Sequence, residues 1–238
     1  MKKGILILIM IFVGSFSAEA QNLDTFLKQA DAFFKAHVTN GKVAYNAIKK
    51  DETALNEVLN TAKSITVVKS DANNYQAFWI NAYNLSVIKG VIDVYPTNSP
   101  LDTKGFFEET TYSLAGKQIT LNDIEHKLLR GNFKDARFHF VLVCGALGCP
   151  PLINKAYMPN TLNKQLEAQT IIALNGSFLK VNVKKKRVQA SQIMEWYKED
   201  FIMNGTTEID FINKYRTEKV SLKSKLSYFS YNWKVNKQ

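Results

Sequence analysis

The chain has 238 residues, of which 46% are apolar, and it contains only 11 Gly and 5 Pro. These figures exclude a largely disordered, collagen-like or low-complexity protein. Its two cysteines, Cys144 and Cys149, are too few for a disulfide scaffold. The net charge of +10 favours anionic surfaces, such as envelope polymers or lipid headgroups, through long-range attraction, and the expected ligand is a small molecule or an envelope polymer. Charge alone does not indicate binding to nucleic acid, and none is predicted.

Residues 1–20 have the composition of a signal peptide. Lys2 and Lys3 precede an apolar run over 5–13, and Ala18 and Ala20 form a small-residue cleavage site before Gln21. The apolar run is shorter than the about 20 residues that span a bilayer, so no membrane span is predicted. We therefore expect a secreted or periplasmic bacterial protein, with a helical lead-in over 21–70 and a domain over 71–238.

The first half of the mature chain has helical periodicity. Apolar residues at helical spacing predict amphipathic helices over 22–38 and 51–62, joined by a connection that includes 43–48. The segment 71–94 is apolar on most sides, which predicts a central buried helix. Pro96 then favours a loop because proline cannot continue a helix.

The spacing of the apolar residues changes from helical to alternating at about residue 110. Alternation over 111–121 around Gly116 predicts a hairpin, and Asn122 or Asp123 is expected to cap a short helix to Arg130. Gly131 is predicted to end that helix in the left-handed conformation. The apolar run 138–144 predicts a buried strand, in which His139 would share a face with Val141 and Val143.

The remaining segments predict a mixture of helices and strands. We expect helices over 161–175, after Ser191 and over 208–216, and a closing strand over 226–235. A hairpin over 178–190 carries a run of basic residues at its solvated tip, Lys184–Arg187. The predicted fold class is α+β, a single domain with a helix-rich N-terminal half packed on a small, mostly antiparallel sheet from the second half.

Cys149 lies in the segment with the clearest chemical signal. A glycine-containing turn precedes it and two prolines follow, so stiff backbone presents the thiol, as a nucleophile requires. Alternatives are a Cys144–Cys149 disulfide, or a zinc site formed by both cysteines with His126 and His139. The Cys-x4-Cys spacing is wider than that of common zinc sites, and neither metal nor cofactor is predicted.

The three histidines differ in their surroundings. His37 ends the first helix and is predicted to be an ordinary surface residue. His126 lies away from the core stripe of its helix, on a face shared with Arg130. His139 is the polar exception in an apolar run and needs a hydrogen-bond partner whether or not it takes part in chemistry.

Five ordered blocks of sequence resemble domain-of-unknown-function family 547. They are AFWINAYN at 77–84, IEHKLLR at 124–130, RFHFVLVCGALGCPP at 137–151, SQIMEWYKEDF at 191–201 and YNWKVN at 231–236. The resemblance implies candidate positions and no particular reaction. The positions that match its polar motif residues are Asn81, Asn84, Glu125, His126, Arg130, Arg137, His139 and Cys149.

The first functional hypothesis is a cysteine-dependent hydrolase or transferase that acts on amide or ester bonds in the cell envelope. Cys149 would be the nucleophile and His139 or His126 the base. Glu125 or an asparagine would orient the base. The side chains of Asn81 and Asn84 could donate hydrogen bonds to the oxyanion.

Two alternatives remain open at this point. In a non-catalytic envelope binding module, Asn81, Arg130 and Arg137 would recognise an anionic ligand, and Cys144 and Cys149 would form a structural bridge. In a redox protein the two cysteines would exchange reversibly, although the chain lacks the usual Cys-x-x-Cys motif. For the enzyme, the sequence predicts a pocket that contains Cys149 and at least one histidine, with Arg130 or Arg137 at its rim.

Overall fold

The first half of the chain folds into helices that surround one long central helix. The computed structural model describes residues 22–238. Its first four helices are α1 over 22–37, α2 over Tyr45–Lys50, α3 over Thr53–Lys63 and α4 over Ala72–Asp93. Helix α2 replaces the predicted connection, because Tyr45 and Ile48 both bury their side chains in the core.

Helix α4 is the central buried helix that its composition predicted. The Asp71 carboxylate accepts a hydrogen bond from the backbone N–H of Asn74 and so caps the N-terminus. Trp79 is only 2% exposed, and the buried residues of α4 lie on all sides of the helix. The helix ends at Asp93, two residues before the Tyr95–Pro96 bond.

The strands form three small sheets, of which the third, with three strands, lies wholly in the second half of the chain. Strands β1 (Val38–Thr39) and β2 (Lys42–Val43) pair with each other, as do β3 (Thr111–Leu114) and β4 (Lys117–Thr120). The third sheet has the order β5 (Leu179–Asn182), β6 (Arg187–Ser191) and β7 (Lys225–Phe229). Pairing is antiparallel except between β6 and β7, which are parallel. The fold is therefore α+β, as predicted.

Helices α7 to α10 surround the third sheet. They are α7 (Leu162–Asn175), α8 (Gln192–Trp196), α9 (Lys198–Phe201) and α10 (Glu208–Tyr215). Short 3-10 turns occupy Pro100–Asp102 and Met203–Gly205. The closing strand ends at Phe229, well before the predicted residue 235, because the chain then leaves the sheet and runs past the cysteines.

The segment 121–133 is one helix with a π-helical centre. Helix α5 (Leu121–Asp123) leads into the π segment Ile124–Arg130, and α6 (Gly131–Phe133) follows. Gly131 has a right-handed φ of −63°, so its predicted left-handed conformation is wrong. A Cβ at this position would lie 2.9 Å from the carbonyl oxygen of His126. Glycine thus allows the wide π turn to close.

The ends of this helix also differ from the prediction. The cap at its start is Thr120, whose hydroxyl accepts a hydrogen bond of 3.1 Å from the backbone N–H of Asp123. The expected caps, Asn122 and Asp123, lie inside the helix. At its end, Lys134 has the left-handed conformation, with φ of 47°.

The predicted buried strand over 138–144 is wrong. Ala136–Phe140 forms a 3-10 helix, which Asp135 caps by accepting a hydrogen bond of 2.9 Å from the Arg137 N–H. The residues after it form no strand, because the Val141 carbonyl and the Val143 N–H bond to Asn84 of α4 instead of to a neighbouring strand. His139 therefore does not share a strand face with Val141 and Val143.

Two apolar clusters form the core, and the cysteines lie where they meet. Helices α1 to α4 and the β3–β4 hairpin build the first cluster, and the third sheet with α8 to α10 builds most of the second. Cys149 packs against both clusters. Within residues 22–238, no helix is long and apolar enough to cross a membrane. The predicted signal peptide lies outside these residues.

Candidate functional site

The loop 144–149, here called the cysteine loop, is held by the C-terminal segment of the chain. Leu147 donates its backbone N–H to the Lys234 carbonyl at 2.7 Å, and Gly148 donates to the Asn232 carbonyl at 2.8 Å. A Cβ on Gly148 would lie 2.7 Å from the ring of Tyr231. A side chain at this position would therefore push Tyr231 away from the loop.

Tyr231 joins the two thiols. Its hydroxyl oxygen lies 2.7 Å from the Sγ of Cys144 and 2.7 Å from the Sγ of Cys149. The backbone N–H of Cys144 also donates to Cys149 Sγ at 3.0 Å. Both cysteines are free thiols. The structural bridge that the binding-module alternative required is therefore not formed.

The hydrogen bonds at the thiols set their acidities in opposite directions. Burial raises the pKa of Cys149, but hydrogen bonds from the Cys144 thiol, the Tyr231 hydroxyl and the backbone outweigh burial and lower it below the usual value. The hydrogen bond to Cys149, together with burial, holds the pKa of Cys144 well above its usual value. Cys149 is thus the thiol that ionises first, with Cys144 and Tyr231 as its donors.

His139 forms an ion-pair-like contact with Asp200 from helix α9. Its Nε2 lies 2.7 Å from Asp200 Oδ2, and its ring stacks on Tyr197 with 4.2 Å between ring centroids. Burial raises the pKa of Asp200, but hydrogen bonds from His139 and Arg130 hold it well below its usual range. Because an ionised carboxylate can only accept, Nε2 of His139 carries the proton. In neutral His139, Nδ1 is then the atom with the free lone pair.

His126 is the same tautomer as His139, but the nitrogen without a protein partner is the protonated one. Its Nδ1 receives a hydrogen bond from the guanidinium of Arg130, which has no lone pair and can only donate. The proton of the neutral ring is therefore on Nε2. Burial lowers the pKa of His126, and the positive charge of Arg130 opposes protonation as well. Arg130 also donates to Asp200 Oδ2 at 2.6 Å, which connects the two histidines through one carboxylate.

These groups surround a cavity of about 260 Å³. Cys144, Cys149, His126, His139 and Glu125 all line it. Its walls are mainly aromatic and apolar. The other lining residues are Tyr83, Phe107, Glu108, Asn122, Leu142, Ile193, Trp196, Tyr197, Tyr231 and Trp233.

The structure thus brings together four of the residues singled out from the sequence. Cys149, His126, His139 and Glu125 all line the cavity, and Glu125 accepts a hydrogen bond of 3.4 Å from the Tyr83 hydroxyl. The expected pocket with Cys149 and a histidine is present. Among residues 22–238, no group of three or more His, Cys, Asp or Glu side chains is arranged to hold a metal ion.

Comparison with protein families agrees with the resemblance of the sequence blocks. Residues 67–171 match a family model described as "Protein of unknown function, DUF547". The chain resembles the DUF547 family. The matched segment includes Glu125, His126, His139 and Cys149 and ends before Asp200. No curated protein and no solved structure matches the chain.

Two asparagines of the DUF547 segment have structural contacts and do not line the cavity. Asn81 donates to the Tyr157 carbonyl at 2.8 Å and accepts from the Tyr157 N–H at 2.9 Å. Asn84 donates to the Val141 carbonyl and accepts from the Val143 N–H, each at 2.9 Å. These carboxamides hold backbone segments against α4, in contrast to their predicted role as oxyanion donors.

The two arginines of the DUF547 segment also differ from each other. Arg130 bonds to His126 but does not itself line the cavity. Its guanidinium carbon lies 4.5 Å from the centroid of the Tyr197 ring. Arg137 bonds to Asp135 and to Asn163 and lines a separate surface depression. Of the two arginines expected as alternatives at the rim of the cysteine pocket, Arg137 lies elsewhere and Arg130 adjoins the pocket through His126.

Sequence reasoning missed Asp200 and Tyr231. Both lie beyond the DUF547 match, 61 and 82 residues from the side chains that they contact. Each lies within a sequence block that resembles family 547, 191–201 or 231–236, so the resemblance could have pointed to both residues. The distance along the sequence concealed which residues they would meet.

Proposed function

We propose that the chain is a cysteine-dependent hydrolase or transferase that acts on amide or ester bonds, with Cys149 as the nucleophile. One observation carries the proposal: the low-pKa thiol of Cys149 lines the same cavity as His139, which is paired with Asp200. A nucleophile, a base and an orienting carboxylate are the three parts of a thiol triad. Asp200 takes the orienting role that was predicted for Glu125 or an asparagine.

His139 is the base in this proposal. Asp200 fixes the proton on Nε2, so Nδ1 can receive the proton of the Cys149 thiol. Stacking on Tyr197 restricts the ring. Within residues 22–238, Nδ1 has no hydrogen-bond partner in the structure without substrate. Proton transfer requires that Nδ1 reach the Cys149 thiol directly or through one water.

His126 serves as a hydrogen-bond donor instead of a second base. Arg130 occupies Nδ1, so the ring offers its Nε2–H to the cavity. A neutral imidazole of this kind can stabilise the negative charge that develops on a carbonyl oxygen. Arg130 is the positioning residue, because it fixes the tautomer without lining the cavity itself.

The reaction then has two steps. Cys149 sulfur attacks the carbonyl carbon while its proton passes to His139, and His126 donates to the oxyanion. His139 returns the proton to the leaving nitrogen or oxygen, which departs and leaves a thioester on Cys149. Water or another nucleophile attacks the thioester, its proton passes through His139 to the thiol, and the acid or transferred product is released. The choice between the two acceptors distinguishes a hydrolase from a transferase.

The envelope is the compartment that the proposal assigns. It rests on the predicted signal peptide over residues 1–20 and the positive charge of the chain. The cavity is smaller than the roughly 300 to 1,000 Å³ of pockets that enclose a drug-sized ligand. A substrate would therefore insert its reacting bond and a small group, and the remainder would lie outside over Trp196 and Trp233.

The decisive experiment looks for the thioester. Residues 21–238 are incubated with activated acetyl and aminoacyl esters, and the intact mass is measured before and after acid quenching. We expect one acyl group on Cys149, none on Cys149→Ala, and acylation of His139→Ala slowed by about 10²-fold or more, the range for loss of a general base.

A matched control distinguishes reactivity from exposure. Cys144→Ala keeps the nucleophile and should still become acylated, whereas acylation of Cys144 in the Cys149→Ala variant should be negligible. Equal modification of the two thiols, or an acylation rate that does not depend on His139, would refute the enzyme hypothesis. The non-catalytic binding module would then be the better explanation.

A further inference from the structure

The positive charge of the chain is concentrated at the third sheet. The segments 179–191 and 219–227 contain eight of the 31 Lys and Arg and none of the 21 Asp and Glu. The remaining residues therefore carry 23 cations against 21 acids. A charge of +8 on two short segments creates a local field that the net charge of the chain understates.

Strand register places much of this charge on one exposed sheet face. Asn182 pairs with Arg187, which pairs with Lys225, and Lys180 pairs with Gln189 in the next row. Cross-strand partners lie on the same face, and these residues are exposed. They line a concave surface to which Lys185 of the β5–β6 turn also contributes.

No acidic side chain in the part of the chain that the structure describes forms an ion pair with this face. Across residues 22–238, none of the eight cations forms an ion pair with an Asp or Glu side chain. Elsewhere the basic residues Lys28, Lys89 and Lys127 do have acidic partners. The cations on the sheet are thus available for an external anionic partner.

Two exposed apolar side chains accompany the cations at one end of the sheet. Val183 is 74% exposed at the β5–β6 turn, and Leu222 is 70% exposed in the turn before β7. The two turns are neighbours, because Lys225 donates its N–H to the Lys186 carbonyl at 2.9 Å. Here "the basic tip" denotes residues 183–187 and 222–225.

We propose that the basic tip docks on an anionic phospholipid surface. Clustered Lys and Arg are attracted to anionic headgroups, and apolar side chains beside them can enter the interface between headgroups and acyl chains. A dissolved polyanion would use the cations but gain nothing from Val183 and Leu222. The apolar pair therefore selects a membrane over a polymer.

The turns present the tip in a defined shape. Lys185 donates its backbone N–H to the Asn182 side chain at 2.9 Å, and Lys186 donates to the Val183 carbonyl at 3.1 Å. Ser224 closes the second turn by donating to the Ser221 carbonyl at 2.9 Å. Because both turns are hydrogen-bonded, little additional backbone ordering is needed when they bind.

Vesicle sedimentation of residues 21–238 tests the proposal. Vesicles of phosphatidylcholine alone are compared with vesicles that contain phosphatidylglycerol, at low and high salt. We expect at least tenfold stronger partitioning onto the anionic vesicles, weakened by salt. Lys184→Glu with Lys185→Glu should lower partitioning at least tenfold, and Val183→Ser with Leu222→Ser should lower it at least threefold.

The matched control is Lys35→Glu with Lys104→Glu, which makes the same charge change at exposed lysines of the helical half. It should leave partitioning within twofold of the wild type. An equal loss in this control would mean that net charge alone drives binding and would overturn the proposal. Melting curves by circular dichroism check that all three variants are folded.

A soluble polyanion gives the last arm of the experiment. Long-chain polyphosphate should compete for the lysines but should bind Val183→Ser with Leu222→Ser as tightly as the wild type. If vesicle binding is likewise insensitive to the apolar substitutions, the tip is a general polyanion site and the phospholipid assignment fails. These readouts are independent of acylation at Cys149, so either proposal can fail without the other.

Discussion

Two sets of polar side chains, buried except for the half-buried His126, can be compared in this protein, and their partners distinguish them. Asn81 and Asn84 on α4 bond to the backbone of distant segments. His126 and His139 bond to the side chains of Arg130 and Asp200, and each has a second ring nitrogen that bonds to no residue within 22–238. The first set fixes the fold. The second set leaves one donor and one acceptor without a protein partner, as the proposed reaction requires.

The comparison teaches that polarity and burial are insufficient to identify a catalytic group. All four residues match the polar motif positions of the family that the chain resembles. Only the two histidines line a cavity. A buried polar group with backbone partners stabilises the fold, because removing it leaves those partners unsatisfied. Substitutions of the asparagines should therefore lower stability, and substitutions of the histidines or their partners should lower reactivity.

The largest loss of stability is expected for Trp79→Ala. Trp79 is 2% exposed on α4, and truncating a fully packed aromatic side chain costs about 3 to 5 kcal/mol. Urea denaturation measures the change. A change within experimental error would contradict the central place of this helix in the core.

The next largest loss of stability is expected for Asn84→Ala. The substitution leaves the buried Val141 carbonyl and Val143 N–H without partners, at about 1 to 3 kcal/mol for each group. The expected loss of stability is therefore about 2 to 6 kcal/mol. Asn84→Asp is the matched control, because it retains the acceptor for Val143 but loses the donor to Val141. Unchanged stability in the alanine variant would remove the structural role given to this residue.

Asp200→Asn should have an effect that depends on pH. The pKa of Asp200 is depressed in the folded state, so its ionised form contributes stability above the unfolded value of about 4, and this contribution is lost as pH falls toward the folded value. The stability difference between wild type and variant should thus be largest at neutral pH and shrink below about pH 4. Thermal melting from pH 7 to 2 measures it, and a difference independent of pH would contradict the pairing with His139 and Arg130.

Cys149→Ser should change stability by about 1 kcal/mol or less, because serine can retain a hydrogen bond to Tyr231. The same substitution should remove the most reactive thiol toward iodoacetamide. In the wild type, Cys149 should react faster than Cys144 at neutral pH because its pKa is the lower of the two. A large loss of stability would identify Cys149 as structural.

Arg137→Ala is expected to have the smallest effect on chemistry. Its guanidinium bonds to Asp135 and Asn163, away from the cavity. Acylation and iodoacetamide labelling of Cys149 should stay within twofold of the wild type. Arg130→Ala is the informative counterpart, since it frees Nδ1 of His126 and should slow acylation. Equal effects of the two arginine substitutions would contradict the assigned tautomer.

The sequence by itself determined the features that depend on neighbouring residues. The apolar composition of 71–94 predicted α4 nearly to its ends, and the turn around Gly116 predicted the β3–β4 hairpin. The residue types at Glu125, His126, His139 and Cys149 indicated the chemistry of the candidate site. These features follow from helix periodicity, turn geometry and acid–base character, which are local properties.

Only the tertiary structure decided what the polar groups contact. The run 138–144 has strand composition, yet Asn84 binds the backbone groups that a neighbouring strand would have used, so no strand forms. The partners of His139 and Cys149 are Asp200 and Tyr231, which come from later segments of the chain. Packing around α4 brings these segments together, and residue spacing along the chain carries no information about such long-range contacts.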